Sequence, residues 1–418
     1  MDRIERRNLV CNTVGEGLWG LGAGLASQLT VLPLLIKRLG GGEEEVGLLS
    51  AVGSAGVLLP QVASAFVFPG GQGRKWFLII YHLAAIVPSW TLIGVGTLVL
   101  SREHQLAARV LLQAAFATFT LTIGIILPVW LDWVAGLFGR ETRGRTFGWS
   151  NAAVALAGTP AALAAAVLVD RCEFPLSYAL LVFLGTACYV ASMLVFAAVR
   201  EVDKGAPPRR LPAGEMFSRF GRSLGDANFR RYLVGRTLVT LGSAPPMFFA
   251  VHFRASAGGS VGENTVIALG ALQALAQAVS GLGLGRLGDR RGHRAGIVAG
   301  AAAQAGSIAL ALAVPGPAGC AAAFAFSGLS FASAWVSHTN FVFESCPHDS
   351  RAAHIAITNL VLAPATVLVP WIAGRAAESL GTPAVFAASL VPTLAGLAWL
   401  ALVVREVREP AGSIGAGA

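Results

Sequence analysis

Charge is what this sequence has least of. Of its 418 residues only 13% are Asp, Glu, Lys or Arg, against 55% hydrophobic. A soluble chain of this length covers its core with far more charge, so composition excludes a water-soluble globular protein. Cysteine is scarce and scattered: Cys11, Cys172, Cys188, Cys320 and Cys346 form no C-x-x-C pair and no metal-ligand spacing. That excludes a disulfide framework and a zinc site, and no metal or cofactor is expected. The phosphate-binding pattern G-x-x-x-x-G-K-[ST] is missing, so nothing supports direct drive by ATP. No nucleophile, base and orienting acid converge recognisably, which places an enzyme behind the other readings. The basic N-terminus leads into an apolar run with no small-residue cleavage site after a short core, and reads as an uncleaved first span.

What is present is a succession of apolar segments of about 20 residues or more, the length that crosses a bilayer. Twelve are placed. The first six run Leu9–Ile36, Val46–Phe68, Lys75–Leu100, Leu106–Phe138, Phe147–Val169 and Ser177–Val199. The second six run Arg231–Phe253, Glu263–Leu284, His293–Val314, Ala318–Ser345, Ala352–Ala376 and Val385–Val404. The chain therefore divides into an N-terminal bundle (1–199), a linker (200–230), a C-terminal bundle (231–405) and a tail (406–418). The linker is rich in Pro, Gly and Arg. Its amphipathic piece near Glu215–Leu224 suits the membrane surface.

The formal charge of +9 does not read as nucleic-acid binding, because the basic residues sit in short loops beside apolar segments. Counting Lys and Arg, twenty-three fall on the side of the termini and seven on the other, with Arg236 inside a span. Excess positive charge marks the cytoplasmic face, so both termini are expected there, in a bacterial inner membrane.

One loop is more specific than the rest. Gly285–Arg294 reads GRLGDRRGHR and joins the eighth and ninth segments. Its glycines permit a tight turn, and Asp289 is placed to accept from N–H groups at a helix start. The pattern G-x-L-x-D-R-x-G-x-R, at Gly285, Leu287, Asp289, Arg290, Gly292 and Arg294, resembles the cytoplasmic loop signature of the major facilitator superfamily. The resemblance implies an all-α polytopic membrane protein, with twelve transmembrane helices in two pseudo-symmetric six-helix bundles. It implies central-cavity lining by helices 1, 4, 7 and 10, and a conformational loop in which Asp289 locks the start of helix 5 near Thr146–Phe147. An internal echo fits: Gly73-Arg74-Lys75 stands after the second segment where Gly292-His293-Arg294 stands after the eighth. The first-half loop lacks the acid.

Ionisable groups inside spans are costly, about 2.5–3.5 kcal/mol on insertion scales, and mark candidate sites. Glu16 and Trp19 share a face of helix 1; Thr120, Gly124, Pro128 and Asp132 share one on helix 4. Arg236, Thr240 and Ser243 share one on helix 7. On helix 10, Ser327, Ser330, Ser333, Ser337, Asn340 and Glu344 follow spacings of three and four. Each has a plainer alternative: small residues let helices pack, Asp132 can pair with the Arg140–Arg145 loop, and Arg236 can snorkel to the interface. Pro245-Pro246 is expected to interrupt helix 7. Glu16 and Arg236, at near-equivalent places in the two halves, are expected to pair across the cavity when the outer side is open. The reading is a secondary transporter moving a small-molecule substrate by alternating access, proton-coupled and monomeric in the lipid bilayer. The alternative is a non-transporting membrane sensor or lipid-handling scaffold on the same fold.

Overall fold

The structure, a computed structural model, describes residues 3–67, 73–201, 224–256, 261–346 and 351–407, apart from a few helix side chains, that of Asp289 among them. The linker piece near Glu215–Leu224, all but its last residue, and the tail beyond residue 407 lie outside the described residues. Every regular element described is helical, and the twelve expected segments are all present. Span 1 is Arg3–Leu25 followed by Val31–Arg38; span 2 is Glu43–Val67; span 3 is Lys75–Leu100 with a π-helical turn at His82–Ile86. Spans 4, 5 and 6 are Gln105–Gly136, Arg140–Arg171 and Leu176–Ala197. Span 7 is Ala227–Leu241 followed by Pro245–Ser256. Spans 8 and 9 are Glu263–Arg291 and His293–Ala313. Span 10 is Gly316–Trp335 followed by Ser337–Glu344; spans 11 and 12 are Arg351–Leu380 and Thr382–Leu402. Among the described residues nine helices are long and apolar enough to cross a membrane, span 10 counted across its break at Val336. Spans 1 and 7 are interrupted. Large apolar side chains such as Val99, Leu194, Val391 and Leu402 are exposed on the outer surface, as lipid contact requires.

The two halves repeat one packing scheme. In the first, span 1 packs on spans 5 and 6, span 2 on span 4, and span 3 on spans 4 and 6. In the second, span 7 packs on spans 11 and 12, span 8 on span 10, and span 9 on spans 10 and 12. Two seams join the halves, span 2 against span 11 and span 5 against span 8. At the first seam the backbones touch: a Cβ on Gly47 would strike the Pro370 carbonyl and the Gly374 backbone.

A cluster of links between the halves lies at the end of the molecule remote from the termini. Glu378 of span 11 accepts from the backbone N–H groups of Glu43 and Glu44 at the start of span 2, at 2.5 and 3.3 Å. Arg38 pairs with Glu263 at 2.7 Å, and the Tyr178 hydroxyl donates to the same carboxylate. Asn264 donates to Asp170 at 2.8 Å, and Arg375 reaches Glu44 at 3.5 Å. This end is sealed.

At the end bearing the termini each half carries the same lock. The turn before span 3 passes through Gly73 (φ +82°) and that before span 9 through Gly292 (φ +87°), a region that suits glycine. In the first half, Glu201 accepts from Arg74 N and Lys75 N at 3.0 and 3.2 Å, and from the Trp133 indole at 2.7 Å. In the second, Glu406 accepts from Arg294 N at 2.9 Å. Asn8 exchanges two hydrogen bonds with the backbone of Arg200, and Asn228 does the same with Arg405. A Val-Arg-Glu-Val repeat, at 199–202 and 404–407, supplies both carboxylates.

A carboxylate at a helix start contributes about 0.3–2 kcal/mol depending on burial. Glu201→Gln and Glu406→Gln should each lower the melting point of the detergent-purified protein, Glu201→Gln more because Trp133 also loses its acceptor. A wild-type melting curve for Glu201→Gln would show that the first-half lock carries no load.

Candidate functional site: a polar cavity between the halves

A cavity of about 480 Å³ lies between the halves. Span 1 contributes Ser27 and Gln28, span 2 Ser50 and Ser54, span 7 Arg236, Thr240 and Ser243. Span 9 adds Gln304 and Ser307, span 10 Ser327 and Ser330, span 11 Thr366. A second cavity, about 260 Å³, is walled almost wholly by the first half: Asn12, Glu16, Trp19, His82, Trp130 and Ser150, with Trp335 from span 10.

Two helix breaks shape the larger cavity. Span 7 stops at Leu241 and restarts at Pro245, as the Pro-Pro pair leads one to expect. Gly242 N and Ser243 N turn back on Val239 O and Thr240 O, and Gln304 donates to Val239 O at 2.9 Å. The freed carbonyl is thus satisfied from span 9. Span 1 breaks at the corresponding place, between Leu25 and Val31, where Ser27 Oγ accepts from Leu29 N and Ser27 O from Leu32 N. No proline marks this second break, and the sequence reading did not find it.

Arg236 points into the protein. Its Nη1 lies 3.2 Å from His338 Nε2, and the other ring nitrogen, Nδ1, lies 3.1 Å from the Tyr232 hydroxyl. Arginine only donates, so Nε2 accepts, Nδ1 carries the proton and donates to Tyr232, and the imidazole is neutral. Among the described residues no carboxylate pairs with Arg236. The snorkelling alternative is therefore replaced by a guanidinium held on the cavity wall.

Glu16 stands apart from it. Its carboxylate accepts from the Trp130 indole at 3.3 Å, and no cation among the described residues pairs with it. Trp130 in turn lies tilted against His82, at 5.0 Å between ring centres, and His82 donates through Nδ1 to Leu78 O. Trp19 packs on His82 and Tyr189. Glu16 and Arg236 are not paired in this conformation.

The other expected residues sort by face. Thr240 is on the cavity wall and donates to the Arg236 carbonyl. Ser333 and Ser337 are buried and face span 9: Ser333 donates to Gly296 O at 2.9 Å, and Ser337 packs on Gly296. Asn340 donates to Val336 O and lines neither cavity. On span 4, Gly124 and Thr120 pack against Gly56 and Val57 of span 2, and Asp132 is exposed. That stripe is a packing seam. In the loop, Gly285, Leu287, Arg290 and Gly292 lie at the span 8 to span 9 corner, and Arg294 binds Glu406 and the Leu400 and Ala401 carbonyls. The expected contact of Asp289 with span 5 lies outside the described side chains. Sequence reasoning missed Ser27, Gln28, Ser50, Ser54 and Gln304, and did not foresee His338 as the partner of Arg236.

Comparison with known proteins gives the same picture. Residues 232–418 match the Major Facilitator Superfamily family profile. No curated protein matches the sequence. Among solved structures, a bacterial homolog of the human lysosomal transporter Spinster, inward-facing and occupied, superposes with TM-score 0.70 at 13% identity over 98% of this chain and 100% of that one. The nucleoside transporter NupG gives 0.65 at 15% identity over 95% and 99%. An auto-inhibited POT family peptide transporter gives 0.66 at 13% identity over 97% and 99%. The chain thus has the fold of these proteins along its whole length, and its second half carries the sequence pattern of the Major Facilitator Superfamily.

Proposed function

We propose that this protein moves a small solute across a membrane by alternating access, using the cavity between its halves as the solute site. One observation carries the reading. A polar cavity is built from both halves, next to a seal that ties the halves together at one end. A sensor or lipid-handling scaffold on this fold has no need of such a cavity and could fill it with apolar side chains. The basic residues put the termini in the cytoplasm, which makes the sealed end external and this conformation inward-facing. Exposed positions at each end test the orientation, in a background with the five native cysteines replaced. Glu103→Cys should react with an impermeant maleimide on intact cells, and Gly225→Cys only after permeabilisation. The reverse pattern would invert the topology.

Glu16 is proposed as the proton-coupling group. Its carboxylate is held by one neutral donor beside four aromatic rings, and a charge there is expensive to keep uncompensated. A proton discharges it in this conformation; Arg236 can do so once the cytoplasmic side closes and spans 1 and 7 approach. Proton binding and helix movement are thereby tied together. In proteoliposomes supplied with a mixed panel of labelled metabolites, Glu16→Gln should abolish accumulation driven by a pH gradient and retain solute exchange. Undiminished gradient-driven accumulation in Glu16→Gln would remove Glu16 from the coupling mechanism.

A further inference from the structure

We infer that the solute is a small organic anion whose acidic group is held by Arg236; this rests on the reading of the larger cavity as the solute site. Three observations on that cavity converge.

The first is charge. Arg236 is the one ionisable group among the described residues that line the cavity, and none of them is an acid. A guanidinium set into a membrane-spanning bundle requires compensation, and buried charges are normally paired. Here its side-chain partner is His338, a neutral imidazole that accepts at Nε2 and donates from Nδ1 to Tyr232. The imidazole fills one hydrogen-bond site and leaves the charge unbalanced.

The second is geometry. His338 engages Nη1, and among the described residues no other acceptor takes the side-chain donors of Arg236. The Nε and Nη2 edge remains, the pair of parallel N–H groups that matches two oxygens of a carboxylate or a phosphate. The His338 contact also fixes the plane of the fork. Span 7 anchors the residue further: Arg236 lies one and two turns before Thr240 and the helix break at Gly242. The guanidinium is thus held ready and need not be ordered by the ligand.

The third is the remaining wall. Ser50, Ser54, Ser243 and Ser330 donate to nothing among the described residues, and neither does the side-chain amide of Gln28. These are neutral donors and acceptors, suited to the oxygens or hydroxyls of a compact polar body. They come from spans 1, 2, 7 and 10, so a solute bridging Arg236 to Ser50 or Gln28 touches both halves. A volume of about 480 Å³ sits at the small-metabolite end of ordinary ligand sites. A cationic solute would meet a like charge with no acid to offset it.

Thermal unfolding of the detergent-purified protein, followed by tryptophan fluorescence, tests this without any transport. The probes are matched sets on one carbon skeleton: a carboxylate, its primary amide, its amine, and a phosphate monoester with its free alcohol. In the wild type an acid should raise the melting point in a saturable way while its amide, alcohol or amine does not. Arg236→Gln should weaken the acid's effect at least tenfold, and Arg236→Lys, which keeps the charge and loses the fork, should fall between. Whether carboxylate or phosphate stabilises more decides the acid. Should Arg236→Gln fail to fold, the wild-type contrast between acid and amide still decides, together with protection of Arg236 from phenylglyoxal by the acid alone. Equal stabilisation by acids and amides, or by none of the probes, overturns the inference, as does an acid effect that survives in Arg236→Gln. Counterflow in proteoliposomes separates this from the function above. Anion binding without exchange would retain the anion subsite and remove transport; exchange of neutral solutes with no preference for acids would do the opposite.

Discussion

Inside hydrocarbon a backbone N–H or C=O without a partner costs several kcal/mol, and this constraint decides where the molecule can be irregular. Spans 1, 7 and 10 are all interrupted, at Ala26–Thr30, Gly242–Ala244 and Val336. Spans 1 and 7 break where they face the larger cavity, and the freed groups are met locally: Ser27 closes a turn on Leu29 and Leu32, and Gln304 reaches across to Val239. Because these breaks are at equivalent places in the two halves, the halves present similar irregular backbone to the cavity. The polar side chains beside each break, Ser27 and Gln28 in one half and Ser243 in the other, are there for the same reason.

The twelve spans were legible because apolar length is a coarse, robust signal, and the break in span 7 because two adjacent prolines remove two N–H donors. Span 1 breaks at ordinary residues, with its proline, Pro33, already inside the second segment, so no local signal pointed to Ala26–Thr30. The two carboxylate locks were hidden for another reason. Attention to the loop motif drew the eye to Asp289, while Glu201 and Glu406 lie more than a hundred residues from the turns they hold. The repeated Val-Arg-Glu-Val was in plain view and its partner turns were not.

The serine stripe on span 10 shows how helical phase can mislead. Steps of three residues fall short of a full turn by about 60° each on a 3.6-residue helix, so a run spaced by threes winds around the axis. Ser327 and Ser330 are on the cavity wall, and Ser333 has already rotated onto span 9. The break at Val336 then resets the direction, leaving Ser337 on Gly296 and bringing His338 to Arg236. His338 is thereby placed to orient the cation. Span 4 makes the same point with glycine: Gly124 is small because Gly56 of span 2 must come close, and a cavity has nothing to do with it.

The seal at the end remote from the termini is built from parts that can be undone. Arg38–Glu263 and Arg375–Glu44 have exposed members, and such pairs are each worth about 0.2–1 kcal/mol. The cap that Glu378 places on the start of span 2 adds a contribution of about the same order. Against this, the Gly47–Gly374 approach buries no large side chain, so parting the two helices there leaves no deep apolar socket open. The links therefore sum to a few kcal/mol, comparable with the roughly 5.5 kcal/mol of differential binding that carries a two-state equilibrium from one extreme to the other. The proposed solute, compensating Arg236 and bridging to span 1 or 2, would act on both halves at once and so against links of this size.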